Sequence, residues 1–188
     1  MKLQKNFKIS KIKLKISKIK LILFSLFLIW FTLQVMAPLM LPSNSVKNLS
    51  GVVGLVDNEE LLINISQPWS TIYRIGDILC HQKTERSYFI NGNQMPFCSR
   101  CTGIFLGLAL GMLITIIFQN KITFSDKTVF FIILLMMPLI IDGTMQLLGI
   151  WESKNYIRMI TGVLTGIAGS TAISLVVDEL KNVKLLKY

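Results

Sequence analysis

Residues 128–149 read TVFFIILLMMPLIIDGTMQLLG. These 22 residues carry a single charge, Asp142, and are long enough to cross a bilayer core, for which about 20 apolar residues suffice. Similar blocks occur on both sides of this one. The second span is expected at about Thr102–Phe118 and the fourth at about Tyr156–Val177, with the short polar link Gln119–Lys127 before the third. The first is expected at about Leu21–Leu41, with Trp30 inside it and Pro42 at its end. Over 188 residues, 52% are hydrophobic and only 16% charged. Apolar residues in blocks near spanning length mark an all-α integral membrane protein. Leu21–Leu41 is too long for a signal-peptide core and no small-x-small cleavage site follows, so it reads as a retained span.

The expected organisation is a four-helix membrane domain over residues 21–177, with a large loop at 42–101. A basic N-terminus (1–20) and a tail (178–188) flank it. Net charge is +10, and eight lysines lie in residues 1–20 without an acidic partner. Their neighbours are a hydrophobic span rather than interleaved aromatics, so anionic membrane lipids are the expected partner and nucleic acid is not. Residues 1–20, the 119–127 link and the tail hold thirteen of the twenty basic residues. Positive residues favour the cytoplasm. N- and C-termini are therefore expected inside, and the loop 42–101 and the turn Ile150–Asn155 outside.

Within the loop, Pro68 suits the start of a helix. Trp69, Ile72, Tyr73, Gly76, Leu79 and Cys80 then fall on one face, with Arg74, Asp77 and His81 opposite. This predicts a short helix on the membrane surface that delivers Cys80 and His81 at its end. Tyr88–Ile90, Asn91-Gly92 and Asn93–Phe97 read as a hairpin, because Asn-Gly supplies the positive φ angles of a tight turn. A hairpin would return Cys98 and Cys101 to the side of Cys80 and His81.

All three cysteines and the only histidine lie in residues 80–103, CHQKTERSYFINGNQMPFCSRCTG. Cys98-Ser-Arg-Cys101 is a C-x-x-C motif, and with Cys80 and His81 it offers a Cys3His set of the kind zinc takes. Adjacent residues both ligate only where the backbone turns sharply, so three thiolates with His81 in a supporting place is the alternative. A redox reading competes. Cys98 and Cys101 sit at the start of a span, where helix-end N–H groups and Arg100 favour thiolate. The layout resembles that of four-span, quinone-linked membrane oxidoreductases that make disulfides, with quinone as cofactor and Cys80 as the exchanging partner.

Asp142 lies inside the third span, four residues after Pro138, roughly 12 Å below Ile150 at 1.5 Å per residue. A buried ionisable group in a membrane costs at least ~2.5 kcal/mol on insertion scales and is normally paired or functional. Gln146 lies one turn away on the same face. Arg100, Asn155 and Arg158 can approach from the second and fourth spans, and the candidate polar site comprises Arg86, Arg100, Asp142, Gln146, Asn155 and Arg158. Gly103, Gly107 and Gly111 on one span, and Gly162, Gly166 and Ser170 on another, have the small-residue spacing that lets helices approach closely. Glu85 is a candidate acid/base beside a metal-bound water.

The pattern Cys80-His81-Gln82, Glu85-Arg86-Ser87, Cys98-Ser99-Arg100-Cys101-Thr102-Gly103 resembles a family of small, predicted integral membrane proteins of unknown function. Asp142-Gly143, Gln146, Asn155, Arg158 and Thr161-Gly162 resemble its second block, so the likeness runs from about Cys80 to Ser170. It implies a membrane fold and a choice of residues, and it brings no activity with it. Three functional expectations follow. The first is an outer-face zinc knot of Cys80, His81, Cys98 and Cys101 over a polar site, where Arg100 and Arg158 hold a lipid or polar head group. The second is a quinone-linked thiol–disulfide oxidoreductase using Cys98 and Cys101. The third is a metal-dependent hydrolase or transferase with Glu85 or Asp142 as base.

Overall fold

The computed structural model describes residues 17–49, 51–119 and 121–185, with side chains through Lys181. Most of the basic N-terminal stretch, residues 1–16, and the last three residues of the tail lie outside the described residues. Four helices are long and apolar enough to cross a membrane: α1 (Lys18–Met40), α4 (Ser99–Ile117), α5 (Asp126–Leu147) and α6 (Asn155–Leu185). Between α1 and α4 stand α2 (Glu59–Leu62), α3 (Trp69–Leu79), a 3-10 turn at Thr84–Arg86, and the strands β1 (Phe89–Ile90) and β2 (Asn93–Gln94).

Two bounds differ from those expected of the sequence. α4 starts at Ser99, three residues before the apolar run begins, so Cys98 becomes its N-cap and Cys101 enters its first turn. Hydropathy marks the part of a helix in lipid, not the polar turn that precedes it. α6 continues past Val177 to Leu185, because DELKNVKL is rich in helix formers.

α4 and α6 form the centre of the bundle, and glycine permits their approach. A Cβ on Gly107 would stand 2.2 Å from the Val163 carbonyl oxygen, and one on Gly166 would stand 2.2 Å from that of Ile104. Gly162 likewise lies against the Arg100 carbonyl, at 2.4 Å from a built Cβ. The small-residue spacing thus seats the first turn of α6 beside the first turn of α4. α5 lines the other side of α6 and buries only Asp142 inward. Most of its large apolar side chains, such as Phe130, Leu134 and Ile141, are exposed as lipid-facing residues are, and Ile132, Leu135 and Leu139 are half-buried. α1 packs on α4 through Trp30, whose ring lies 6.0 Å from Phe105 and 5.9 Å from Phe97, edge to face. Where α1 begins, α6 ends. Lys20 pairs with Asp178 at 2.6 Å, and Lys181 donates to Ser17, the α1 N-cap. The start of α1 and the end of α6 thus share one face of the bundle, and the segment 42–98 caps the opposite face.

That cap has its own small core. Ala37 and Leu41 at the end of α1 meet Val46, Leu49, Leu62, Ile72 and Tyr73. The hairpin forms as expected in type, with Phe89 opposite Gln94 and Ile90 opposite Asn93. Its turn residues Asn91 and Gly92 have φ of 54° and 71°. Both central residues with positive φ are the mark of the tight turn whose twist suits a hairpin. Two buried amides hold it down. Asn93 donates to the carbonyls of Pro38 and Pro42, each at 2.9 Å, and accepts from Val46 N–H at 3.0 Å. Gln94 donates to the Gln82 carbonyl and accepts from Leu49 N–H at 3.0 Å.

The surface-helix expectation for α3 needs correction at two residues. Leu79 is exposed and Asp77 is fully buried. Residues 51–58 fold over the polar side of α3, and Asp77 accepts from Asn58 N–H at 3.0 Å and from its side-chain amide at 2.6 Å. A carboxylate that accepts such bonds is stable where helical periodicity alone would place it in solvent.

Candidate metal centre

Two helix ends meet at the cysteines. Cys80 is the C-cap of α3, Cys98 the N-cap of α4, and Cys101 lies one turn into α4. α3 approaches closely because residue 76 is glycine: a Cβ there would stand 2.0 Å from the Pro96 carbonyl oxygen. The Gln82 amide also donates to that carbonyl, at 2.7 Å. Phe97, 1% exposed and stacked edge to face on Phe105 at 5.4 Å, fixes the residue immediately before Cys98. Ser99 donates to the Arg86 carbonyl at 2.9 Å, which ties the loop to the head of α4.

The result is a triad. The sulfurs of Cys80, Cys98 and Cys101 lie within 4.8 Å of one another, and all three cysteines are free. Zinc–sulfur bonds of about 2.3 Å place tetrahedral sulfurs about 3.8 Å apart, so small side-chain adjustments close such a group on one ion. Cys98 is the natural thiolate. A hydrogen bond from the Cys101 thiol, then one from Cys80, then the first-turn N–H groups of α4 lower its pKa to about 2 against the opposing effect of burial. Cys80 responds the other way. Its hydrogen bond with Cys101 favours the thiolate, but its bond to Cys98, burial and repulsion from Cys98 outweigh that and raise it to about 11. One charge shared over three sulfurs is the state a divalent soft cation would convert to three thiolates.

The expected fourth ligand stands apart. His81 is exposed and outside the group of converging sulfurs, so the Cys3His set reduces to three thiols. The cause is local. Cys80 has extended backbone (φ −144°, ψ 145°), and successive side chains on an extended chain point to opposite sides. With Cys80 turned inward, His81 stays at the exposed rim of the site.

Beneath the triad the polar residues divide into two pairs. Arg100 forms an ion pair with Asp142 and donates to Gln146 at 3.3 Å. Arg158 does not reach Asp142 by hydrogen bond; its Nη1 donates to Asn155 at 3.1 Å, and Asn155 donates to the Ser87 carbonyl at 3.2 Å. A cavity of about 160 Å³ joins the two levels, lined by the three cysteines and by His81, Lys83, Arg86, Arg100 and Arg158. Glu85 is half exposed and lies 3.6 Å from Arg86. Asp142 is paired with Arg100 through Oδ2. Lys83, a cavity residue, carried no motif and was missed in the sequence.

The family model described as "Predicted membrane protein (DUF2085)" matches residues 80–172, a range that contains the triad, α4, α5 and Arg158. An uncharacterised protein of Methanocaldococcus jannaschii is 38% identical over 95 residues, half of this chain and 61% of that relative's length. An uncharacterised protein of Methanothermobacter thermautotrophicus is 42% identical over 89 residues, 47% of this chain and 78% of the relative. No solved structure matches the chain.

Proposed function

The chain belongs to the DUF2085 family of predicted membrane proteins, and from that premise we propose a multi-pass membrane protein whose Cys80–Cys98–Cys101 triad binds one soft divalent metal ion, zinc by donor type. The observation that carries this reading is the convergence of three thiols from two helix ends within 4.8 Å. Three protein ligands leave one coordination position free, and such open sites belong to metals that meet water or substrate. That position adjoins the basic cavity, so the metal joins the cap to a polar site reaching Arg100, Asp142 and Gln146. The bias of lysine and arginine toward the other end of the bundle supports an extracytoplasmic cap and cytoplasmic termini.

Purified protein is expected to carry one zinc per chain, with its three thiols unreactive until a chelator is added. Metal-free protein with three freely titrating thiols would defeat the proposal.

A second reading keeps a specific observation in its favour. Cys98 is a depressed-pKa thiolate at a helix N-terminus beside Cys101, the arrangement of an attacking thiol. In a quinone-linked oxidoreductase, air-oxidised protein would hold a Cys98–Cys101 disulfide, and Cys101→Ser would end redox cycling.

A further inference from the structure

Arg158 is a buried guanidinium with no ion pair among the described residues, and Asp142 and Glu152 act on it only at a distance. It is 2% exposed. Its Nη1 is taken by Asn155, while Nε and Nη2 have no partner among the described residues. Those two atoms form the edge on which a guanidinium makes two parallel hydrogen bonds to one oxyanion. Leaving such a group uncompensated away from water is heavily penalised.

Its surroundings add positive charge. Arg158 shares the 160 Å³ cavity with Lys83, Arg86 and Arg100. Arg100 is committed to Asp142, but the Arg86 Nε, like the Arg158 fork, lacks a hydrogen-bond partner and meets only Glu85, at 3.6 Å. α4 and α6 both begin at this cavity, and helix N-termini favour anions. The cavity is smaller than the ~300 Å³ at which pockets for drug-sized molecules start, so it suits a single group rather than a whole ligand. Lys83, Arg86 and Arg158 outnumber the single Cys98 thiolate around so small a volume, and the excess matches a doubly charged tetrahedral oxyanion better than a carboxylate.

We infer that this cavity binds a phosphate dianion, inorganic or the terminal monoester of a head group, gripped by the Nε/Nη2 edge of Arg158 and flanked by Arg86 and Lys83. The inference rests on the polar site proposed above and names its ligand class. Phosphate could arrive free or as a lipid head group, and the two sources are separable.

The full chain is placed in phosphatidylcholine nanodiscs and titrated with inorganic phosphate. In parallel it is placed in nanodiscs doped with phosphatidic acid, and lipid retention is read by native mass spectrometry. Saturable phosphate binding supports a free ligand, and selective retention of phosphatidic acid supports a head group. In either arm Arg158→Gln is expected to weaken binding by at least ~30-fold. If that variant does not fold, Arg158→Lys, which keeps the charge and removes the fork, must show the loss. Absence of binding in both arms, or equal binding by wild type and variant, overturns the inference. Zinc content is measured on the same samples. Wild-type protein that carries zinc but binds neither anion defeats this inference alone; phosphate binding by a protein that never takes metal defeats the metal reading alone.

Discussion

Serine at any of positions 80, 98 or 101 is expected to lower zinc affinity by more than ~100-fold, while alanine at His81 leaves it within a few-fold. Changing a group that only orients a metal ligand already costs ~10–100-fold, and a lost thiolate costs more. The contrast with His81 follows from geometry: the three sulfurs converge, and the imidazole is exposed and outside their group. Competition against a chromophoric chelator reads the affinities. The disulfide alternative gives a different pattern. There Cys80→Ser would leave a Cys98–Cys101 bond intact in oxidised protein, and no variant would change a metal content that is already zero.

The second large effect concerns the bundle. Asp142→Ala is expected to destabilise the protein by ~3 kcal/mol, the low end for a broken buried pair, because it strands an arginine whose side chain is only 24% exposed. Asp142 is the sole buried residue of α5 and is 3% exposed. Without it Arg100 keeps only Gln146 at 3.3 Å. The double variant Arg100→Met/Asp142→Leu should recover most of the loss, since apolar replacements of similar size remove both charges together. Thermal unfolding in detergent distinguishes the outcomes. A single variant within ~0.5 kcal/mol of wild type, the ordinary range of a surface substitution, would show that the pair does not tie α5 to α4.

These two predictions draw on features that differ in how far sequence reveals them. Asp142 was legible because a charge within 22 apolar residues demands a partner, and only a few arginines were within reach. The contact of α4 with α6 was legible because glycines four apart have few other uses in a membrane helix. The return of Cys98 and Cys101 to Cys80 was legible through Asn91-Gly92, whose positive φ angles almost dictate the turn. Other features were hidden by their chemistry. Asp77 reads as part of the polar face of α3, and Gln82, Asn93 and Gln94 carry no signal of burial, yet all four are buried. Each is satisfied by backbone or amide groups that folding brings from distant segments, as when Asn93 reaches Pro38. No local pattern encodes such a partner. His81 misled for a related reason. Its place next to Cys80 in the sequence offered it as a ligand, but the extended backbone at Cys80 sends neighbouring side chains apart. Arg158 was expected to reach for Asp142. Its bond to Asn155 depends on where α6 begins, and boundaries are the least legible feature of a sequence.

X-ray absorption at the zinc edge tests the central claim most directly, because it counts sulfur around the metal in the intact protein. Three sulfur scatterers at about 2.3 Å with one lighter oxygen or nitrogen neighbour is the result expected of the Cys80–Cys98–Cys101 triad with an open fourth position. Fewer than three sulfurs, or protein that binds no zinc and carries a Cys98–Cys101 disulfide, would contradict it.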